Sequence, residues 1–114
     1  MRRFLVALAL VLGLSTYSYG GVGRLDLSWT DNSDNEDGFK IERKGGDCTS
    51  PGIFIQIDQV GPNVTTYGNL NLPPGSTYAY RVRAYNAAGN SGYSNCASGT
   101  TAPAPNAATN LSVN

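Results

Sequence analysis

Residues 72–86 read LPPGSTYAYRVRAYN, and this stretch decides the fold. The Pro-Pro-Gly triplet predicts a corner, because proline fixes its own backbone angle and glycine adopts turn geometries closed to other residues. After the corner the residues alternate between two sides, which predicts a half-buried β-strand. One side is apolar and the other mostly polar: Tyr78, Tyr80, Val82 and Ala84 against Ala79, Arg81, Arg83 and Tyr85.

The same period of two recurs upstream. Leu25, Leu27 and Trp29 alternate with polar residues, and Phe39 and Ile41 begin a second run of this kind. Further short strands are predicted over 53–57, 64–67 and 93–101, separated by turns rich in Gly, Pro and Asn. After residue 20 no stretch carries a helical apolar period. We therefore predict an all-β protein with an immunoglobulin-like antiparallel β-sandwich.

Several segments then resemble one family, in its order and spacing. LSWTDNS (27–33), GFKIER (38–43), LPPGSTY (72–78) and YRVRAYN (80–86) look like strands B and C, the E–F corner and strand F of a bacterial fibronectin type III domain. NSGYSN (90–95) looks like the entry into strand G. The resemblance covers about residues 24–101 and implies fibronectin type III topology.

Within that fold the expected structural core is Trp29, Leu72, Tyr78, Tyr80 and Val82. Trp29 supplies the large hydrophobe between the two sheets. Leu72 and Tyr78 fit a tyrosine corner, in which the phenol hydroxyl bonds to backbone a few residues upstream. That bond satisfies the polar tip while the ring packs in the core.

The first twenty residues have the order of a secretory signal peptide. Arg2 and Arg3 precede an apolar run over 4–14, and small or polar residues follow it. The run is too short for a membrane-spanning helix. We predict a signal peptide over 1–20, with cleavage after Gly20 or Ser18, and a domain over 21–101. The expected location is secreted, extracellular or periplasmic, with no membrane span after cleavage.

Cys48 and Cys96 are the two cysteines of the chain. In an exported protein they are expected to pair. The resemblance places Cys48 in the loop after strand C and Cys96 near the start of strand G. Because strand F separates those two strands, the loop must fold back for the disulfide to form.

Both ends of the predicted domain depart from the family pattern. Too few residues stand between the cleavage site and Leu25 for a first strand, so strand A is expected to be missing. Residues 102–114 are predicted to be a linker followed by an extra strand, because residues 109–114 resemble the opening strand of another such domain. This segment could fill the vacant place in its own molecule or in the next one, or remain unpaired.

Catalysis has little support. The chain contains no His, which removes Ser-His and Cys-His nucleophile activation. The only acidic cluster, residues 31–37, lacks the register of a calcium loop, and its Asp and Asn side chains suit turn formation. We expect no enzyme activity, cofactor or metal. Nucleic acid is not an expected partner, because no basic stripe is present and the chain without residues 1–20 is slightly acidic.

Arg81, Arg83 and Tyr85 are expected to face outward, beside Lys40 and Glu42. This set is a candidate binding face, or else a solvated sheet face held by cross-strand charge pairs. The expected function is a secreted, non-catalytic interaction or spacer module that contacts a protein or polysaccharide at the cell surface. The alternative is a structural subunit that self-associates weakly, head to tail, by donating its C-terminal strand.

Overall fold

The computed structural model describes residues 10–12, 17–19 and 22–114. These residues form antiparallel strands in two sheets, and they contain no helix that could cross a membrane. The strands are β1 (Leu10–Leu12), β2 (Tyr17–Tyr19), β3 (Val22–Trp29), β4 (Gly38–Gly45), β5 (Ile55–Val60), β6 (Thr66–Leu72), β7 (Thr77–Asn86), β8 (Gly89–Asn90) and β9 (Ala97–Thr100). This is the predicted immunoglobulin-like sandwich.

The first sheet is organised around β3, which pairs with β6 on one side and with β1 and β2 on the other. The second sheet runs β5-β4-β7, and the far edge of β7 carries both β8 and β9. The interruption between β8 and β9, residues 91–96, shortens the last strand relative to the predicted 93–101.

The register of β4 against β7 assigns each side chain to a face. Phe39 opposes Ala84 and Ile41 opposes Val82, and all four are buried between the sheets. Because side chains alternate along a strand, the intervening pairs project from the outer face of the second sheet. Those pairs are Gly38 with Tyr85, Lys40 with Arg83, Glu42 with Arg81, and Lys44 with Ala79.

The core lies between the two sheets. Leu25, Leu27 and Trp29 of β3 bury the side chains that the alternation predicts. Trp29 packs on Phe39 with ring centroids 5.6 Å apart and planes tilted by 58°, an arrangement favoured by aromatic pairs. Leu72, Tyr80 and Val82 are buried in the same cluster, and Tyr78 packs against it while partly exposed.

A first strand was expected to be missing, but in the full chain two short strands occupy its place. β1 and β2 lie along the edge of β3 that would be open, with Leu10 opposite Trp29 and Tyr17 opposite Arg24. An edge strand presents unpaired N–H and C=O groups that accept any extended segment. Both short strands fall within the predicted signal peptide, the rest of which lies outside the described residues. The edge would therefore open only if residues 1–20 were removed.

The C-terminal segment forms no strand in this structure. Thr101 is buried, and its hydroxyl donates to the carbonyl of Pro73 at 2.6 Å, which fixes the end of β9 to the corner before β7. Beyond it, Leu111 and Val113 are 94% and 96% exposed. The predicted extra strand over residues 109–114 therefore does not complete the sheet of its own molecule.

Candidate binding face

The outer face of the second sheet gathers the residues that sequence analysis assigned to it. Arg81, Arg83 and Tyr85 project from β7, and Lys40 and Glu42 project from the neighbouring β4. Glu42 is only 5% exposed, although it lies on an outer face. A charged group loses its water at a high cost in free energy unless partners replace that water.

Those partners surround Glu42. Arg81 donates from Nε at 2.9 Å, and its Nη2 lies 2.8 Å from the same carboxylate oxygen. The second carboxylate oxygen accepts the hydroxyl of Tyr93 at 3.0 Å and lies 3.6 Å from Nη2 of Arg83. Cross-strand charge pairing, one of the two interpretations offered above, therefore describes the centre of this face.

Aromatic rings cover the cations of this face. The guanidinium carbon of Arg81 lies 4.2 Å from the ring centroid of Phe54 and 3.6 Å from that of Tyr93. Arg83 lies 4.5 Å from the Tyr93 ring, and Lys40 lies 5.1 Å from the Tyr85 ring. Cations in this position are attracted by the ring quadrupole. Tyr93 remains 39% exposed, so part of its surface faces solvent above the arginines.

Two serines explain how Tyr93 reaches this position. Between β8 and β9 the chain leaves regular pairing, but Ser91 and Ser94 remain bonded to β7. The amides of Val82 and Ala84 donate to the hydroxyls of Ser94 and Ser91, at 2.9 and 2.8 Å. The hydroxyls take the place of backbone carbonyls, so the segment bends without leaving these buried N–H groups unpaired. Tyr93 lies between them.

The opposite end of the same face is covered by the loop over residues 46–54. Cys48 of this loop forms a disulfide with Cys96, with 5.9 Å between their Cα atoms. Lys44 donates to the carbonyls of Cys48 and Ser50 and lies 5.4 Å from the Phe54 ring. Ala79 projects from this end of β7 and is nevertheless 0% exposed.

This arrangement answers the geometric difficulty of the disulfide. The loop leaves β4, passes over β7 and reaches Cys96 beyond it, and Ala79, on this end of β7, has no exposed surface. The disulfide pairing is as predicted. Phe54 and Tyr93, which hold the loop and the segment over 91–96 against Arg81, were not assigned to the face from sequence. Strands were predicted over 53–57 and 93–101, but β5 begins at Ile55 and β9 at Ala97, so both residues lie in irregular segments, where alternation gives no orientation.

The acidic segment over residues 31–37 forms turns. Asp31 accepts the amide and hydroxyl of Ser33, at 3.0 and 3.2 Å. Burial alone would raise the pKa of Glu36, but hydrogen bonds from Ser33 and from the backbone of Asn63 hold that pKa below its ordinary value. Within the described residues no group of three His, Cys, Asp or Glu could hold a metal ion.

Among the described residues Tyr78 does not form the expected hydroxyl bond to upstream backbone, and a different bond is made by Tyr80. Tyr80 donates its hydroxyl to the side chain of Asn69 at 2.5 Å, and Arg43 donates to the same oxygen at 2.9 Å. Burial raises the pKa of Tyr80. Tyr78 instead packs its ring against Arg43, with 4.7 Å between guanidinium carbon and centroid. The buried tyrosine is therefore tied to the opposite sheet by a side chain, and not to nearby backbone.

The family model of the fibronectin type III domain matches residues 18–100. The chain belongs to the fibronectin type III family. Domains of this family are generally non-catalytic modules, and no curated protein matches the chain. A solved fibronectin type III domain, from human fibronectin type III domain containing protein 3, is 25% identical, with a TM-score of 0.59 and 86% of each chain covered.

Two similar structures belong to longer chains. A β-1,2-glucanase from Parabacteroides distasonis matches with a TM-score of 0.64 and 22% identity, over 91% of this chain and 14% of the glucanase. A pectate lyase from Pectobacterium carotovorum matches with a TM-score of 0.60 and 19% identity, over 82% of this chain and 27% of the lyase. At these identities the likeness shows the fold.

Proposed function

We propose that this fibronectin type III domain is a secreted, non-catalytic module of the bacterial type that binds a polysaccharide through the outer face of its second sheet. The observation that carries the proposal is the exposed ring of Tyr93, fixed over two arginines and hydrogen-bonded to Glu42. A rigid aromatic surface binds at a low entropy cost. The C–H face of a sugar ring stacks on such a surface.

Export and the setting support this proposal. Residues 1–20 have signal-peptide order, and a disulfide is typical of oxidising compartments outside the cytosol. Two of the similar structures are parts of chains named as a glucanase and a pectate lyase, names that denote enzymes acting on polysaccharides. A module of this fold beside such enzymes would act by holding the polysaccharide.

The test is binding of the purified mature domain, residues 21–114 without the predicted signal peptide, to a glycan array and to insoluble polysaccharides. We expect retention on at least one polysaccharide, lost in Tyr93→Ala and kept in Tyr93→Phe, which preserves the ring. Leu70→Ala, which removes an exposed apolar side chain of β6 in the other sheet, is the matched control. No retention on any polysaccharide, or equal retention by Tyr93→Ala, would contradict the proposal.

A second function is favoured by the exposed C-terminal segment. Leu111 and Val113 have the spacing of a strand that buries one face, and they find no partner surface in their own molecule. Removal of residues 1–20 would open the edge of β3 that β1 and β2 occupy. Residues 109–114 of one molecule would then pair with β3 of the next, and this contact would build a head-to-tail chain.

Size-exclusion chromatography of the mature domain over a range of concentrations tests this second function. We expect the apparent mass to rise with concentration and to become constant when residues 106–114 are deleted. A matched variant, Leu111→Asn with Val113→Asn, should have the same effect as the deletion without shortening the chain. An apparent mass that is independent of concentration in the intact domain would exclude strand donation.

A further inference from the structure

Charge is distributed unevenly between the two sheets. Four of the cations lie on the outer face of the second sheet, accompanied there by a single acid, Glu42. The other acids lie in loops or on other strands, at Asp26, Asp31, Asp34, Glu36, Asp37, Asp47 and Asp58. Among the described residues, the outer face of the second sheet therefore carries a net positive charge.

The excess charge is concentrated at the end that the loop over 46–54 does not cover. Lys40 and Arg83 are directly opposed on β4 and β7. Like charges in directly opposed positions destabilise a sheet. Glu42 balances the charge of Arg81 through two short contacts. Its contact with Arg83 is longer, at 3.6 Å. Among the described residues Lys40 forms no ion pair, and its ammonium donates to the amide oxygen of Asn90 at 2.8 Å.

Aromatic surface borders this opposed pair. Tyr85 packs against Lys40, and Tyr93 packs against Arg83. The ammonium of Lys40 retains donors for a ligand, because only one hydrogen bond to it is present among the described residues. The ammonium of Lys40, which offers donors, and the guanidinium of Arg83 therefore stand beside rings that offer flat apolar area.

We infer that the pair of Lys40 and Arg83, with the rings of Tyr85 and Tyr93, binds an acidic polysaccharide whose sugars carry carboxylates. A uronic acid has both features that this end of the face complements. Its carboxylate pairs with the opposed cations, and its C–H face stacks on the tyrosines. The bound anion also removes the repulsion between Lys40 and Arg83. A nucleic acid would require a longer track of cations than these residues provide.

This inference rests on the proposed polysaccharide-binding function, and the experiment separates the two. Polygalacturonate is the acidic probe and dextran is the neutral one, each titrated into the full chain by isothermal calorimetry. We expect binding to polygalacturonate that weakens as salt is raised, because exposed charge pairs are screened. Lys40→Gln combined with Arg83→Gln should weaken it about fivefold or more, as two exposed ion pairs are lost.

Arg24→Gln is the matched control, since it removes one cation from the other sheet, where Arg24 pairs with Asp26. It should leave polygalacturonate binding unchanged. Equal binding to dextran and polygalacturonate, unaffected by the double variant, would overturn the inference of an acidic ligand. The proposed polysaccharide-binding function would still stand. Polygalacturonate binding that Arg24→Gln weakens as much as the double variant would show a non-specific charge effect and also overturn it. No binding to any polysaccharide would overturn both.

Discussion

The two ends of one sheet face are built differently. At one end the loop over 46–54 and its disulfide cover Ala79 and bury Lys44, so that little of the sheet reaches solvent. At the other end Lys40 and Arg83 oppose each other beside Tyr85, and the acid that both arginines of β7 share, Glu42, lies 3.6 Å from Arg83. Between them, Glu42 pairs with Arg81 and accepts from Tyr93. The covered end contains the contacts that stabilise the fold, and the open end contains charges that do not.

This difference matters for a domain of this size. A chain of about a hundred residues buries roughly two thirds of its unfolded surface, so its stability is marginal. Repulsion between Lys40 and Arg83 lowers that stability further, whereas the disulfide raises it. The covered end thus offsets a cost that arises at the open end, and the variants below change the two ends separately.

The largest effect is expected from removing the disulfide. Cys48→Ser with Cys96→Ser frees a loop with a sequence separation of 48 residues, and the chain-entropy model predicts a loss of about 4 kcal/mol in the free energy of unfolding. Urea denaturation measures this loss. The wild-type domain under reducing conditions is the control and should match the double variant. A loss below about 1 kcal/mol would show that the covered end contributes little.

The next largest effect is expected at the acid between the two ends. Glu42→Gln leaves Arg81 and Arg83 without their counter-charge, and both guanidiniums are less than a third exposed. We expect a loss of about 2 kcal/mol in the free energy of unfolding, below the range for fully buried pairs. Lys40→Gln, on the same strand at the open end, should change it by less than about 0.5 kcal/mol. Equal losses of stability in the two variants would show that Glu42 contributes no more to the fold than Lys40 at the open end.

A smaller loss is expected from filling the space beneath the loop. Ala79→Leu enlarges a side chain that has no exposed surface, and we expect a cost of about 1–2 kcal/mol in stability. Ala88→Leu, in the exposed turn between β7 and β8, should cost almost nothing. Thermal unfolding compares the two. An unchanged melting temperature for Ala79→Leu would mean that the loop does not press on this position.

The smallest effect is a pH dependence at Glu36. Its pKa in the folded domain is held below the ordinary 4.5, so the ionised carboxylate stabilises the fold above that pH. This contribution is lost as the pH falls through the lowered pKa. We expect the difference in stability between wild type and Glu36→Gln to narrow from about pH 7 to about pH 3. Parallel curves of stability against pH for the two proteins would contradict a lowered pKa of Glu36.

Strand alternation predicted most of the fold and the position of Arg81, Arg83 and Tyr85. A period of two fixes which face a side chain occupies, and the buried residues of β3, β4 and β7 follow it. Phe54 and Tyr93 could not be assigned in this way, because their orientation depends on a loop and a serine-bonded bend.

Two other features depend on tertiary contacts that the sequence pattern does not reveal. The hydroxyl bond was assigned to Tyr78 from motif spacing, but the acceptor, Asn69, lies on a strand of the other sheet and faces Tyr80. The strands along β3 come from residues that were assigned to a signal peptide, since pairing of an open edge requires only an extended backbone.

The most direct test of the division between the two ends is an NMR titration of the isotope-labelled full chain with oligogalacturonate. We expect amide shift changes confined to the open end, at residues 38–40, 83–86 and 90–93. We expect none at the covered end, at residues 44–52, 79 and 96–98. Shift changes centred on the covered end or on β3 and β6 would contradict this division.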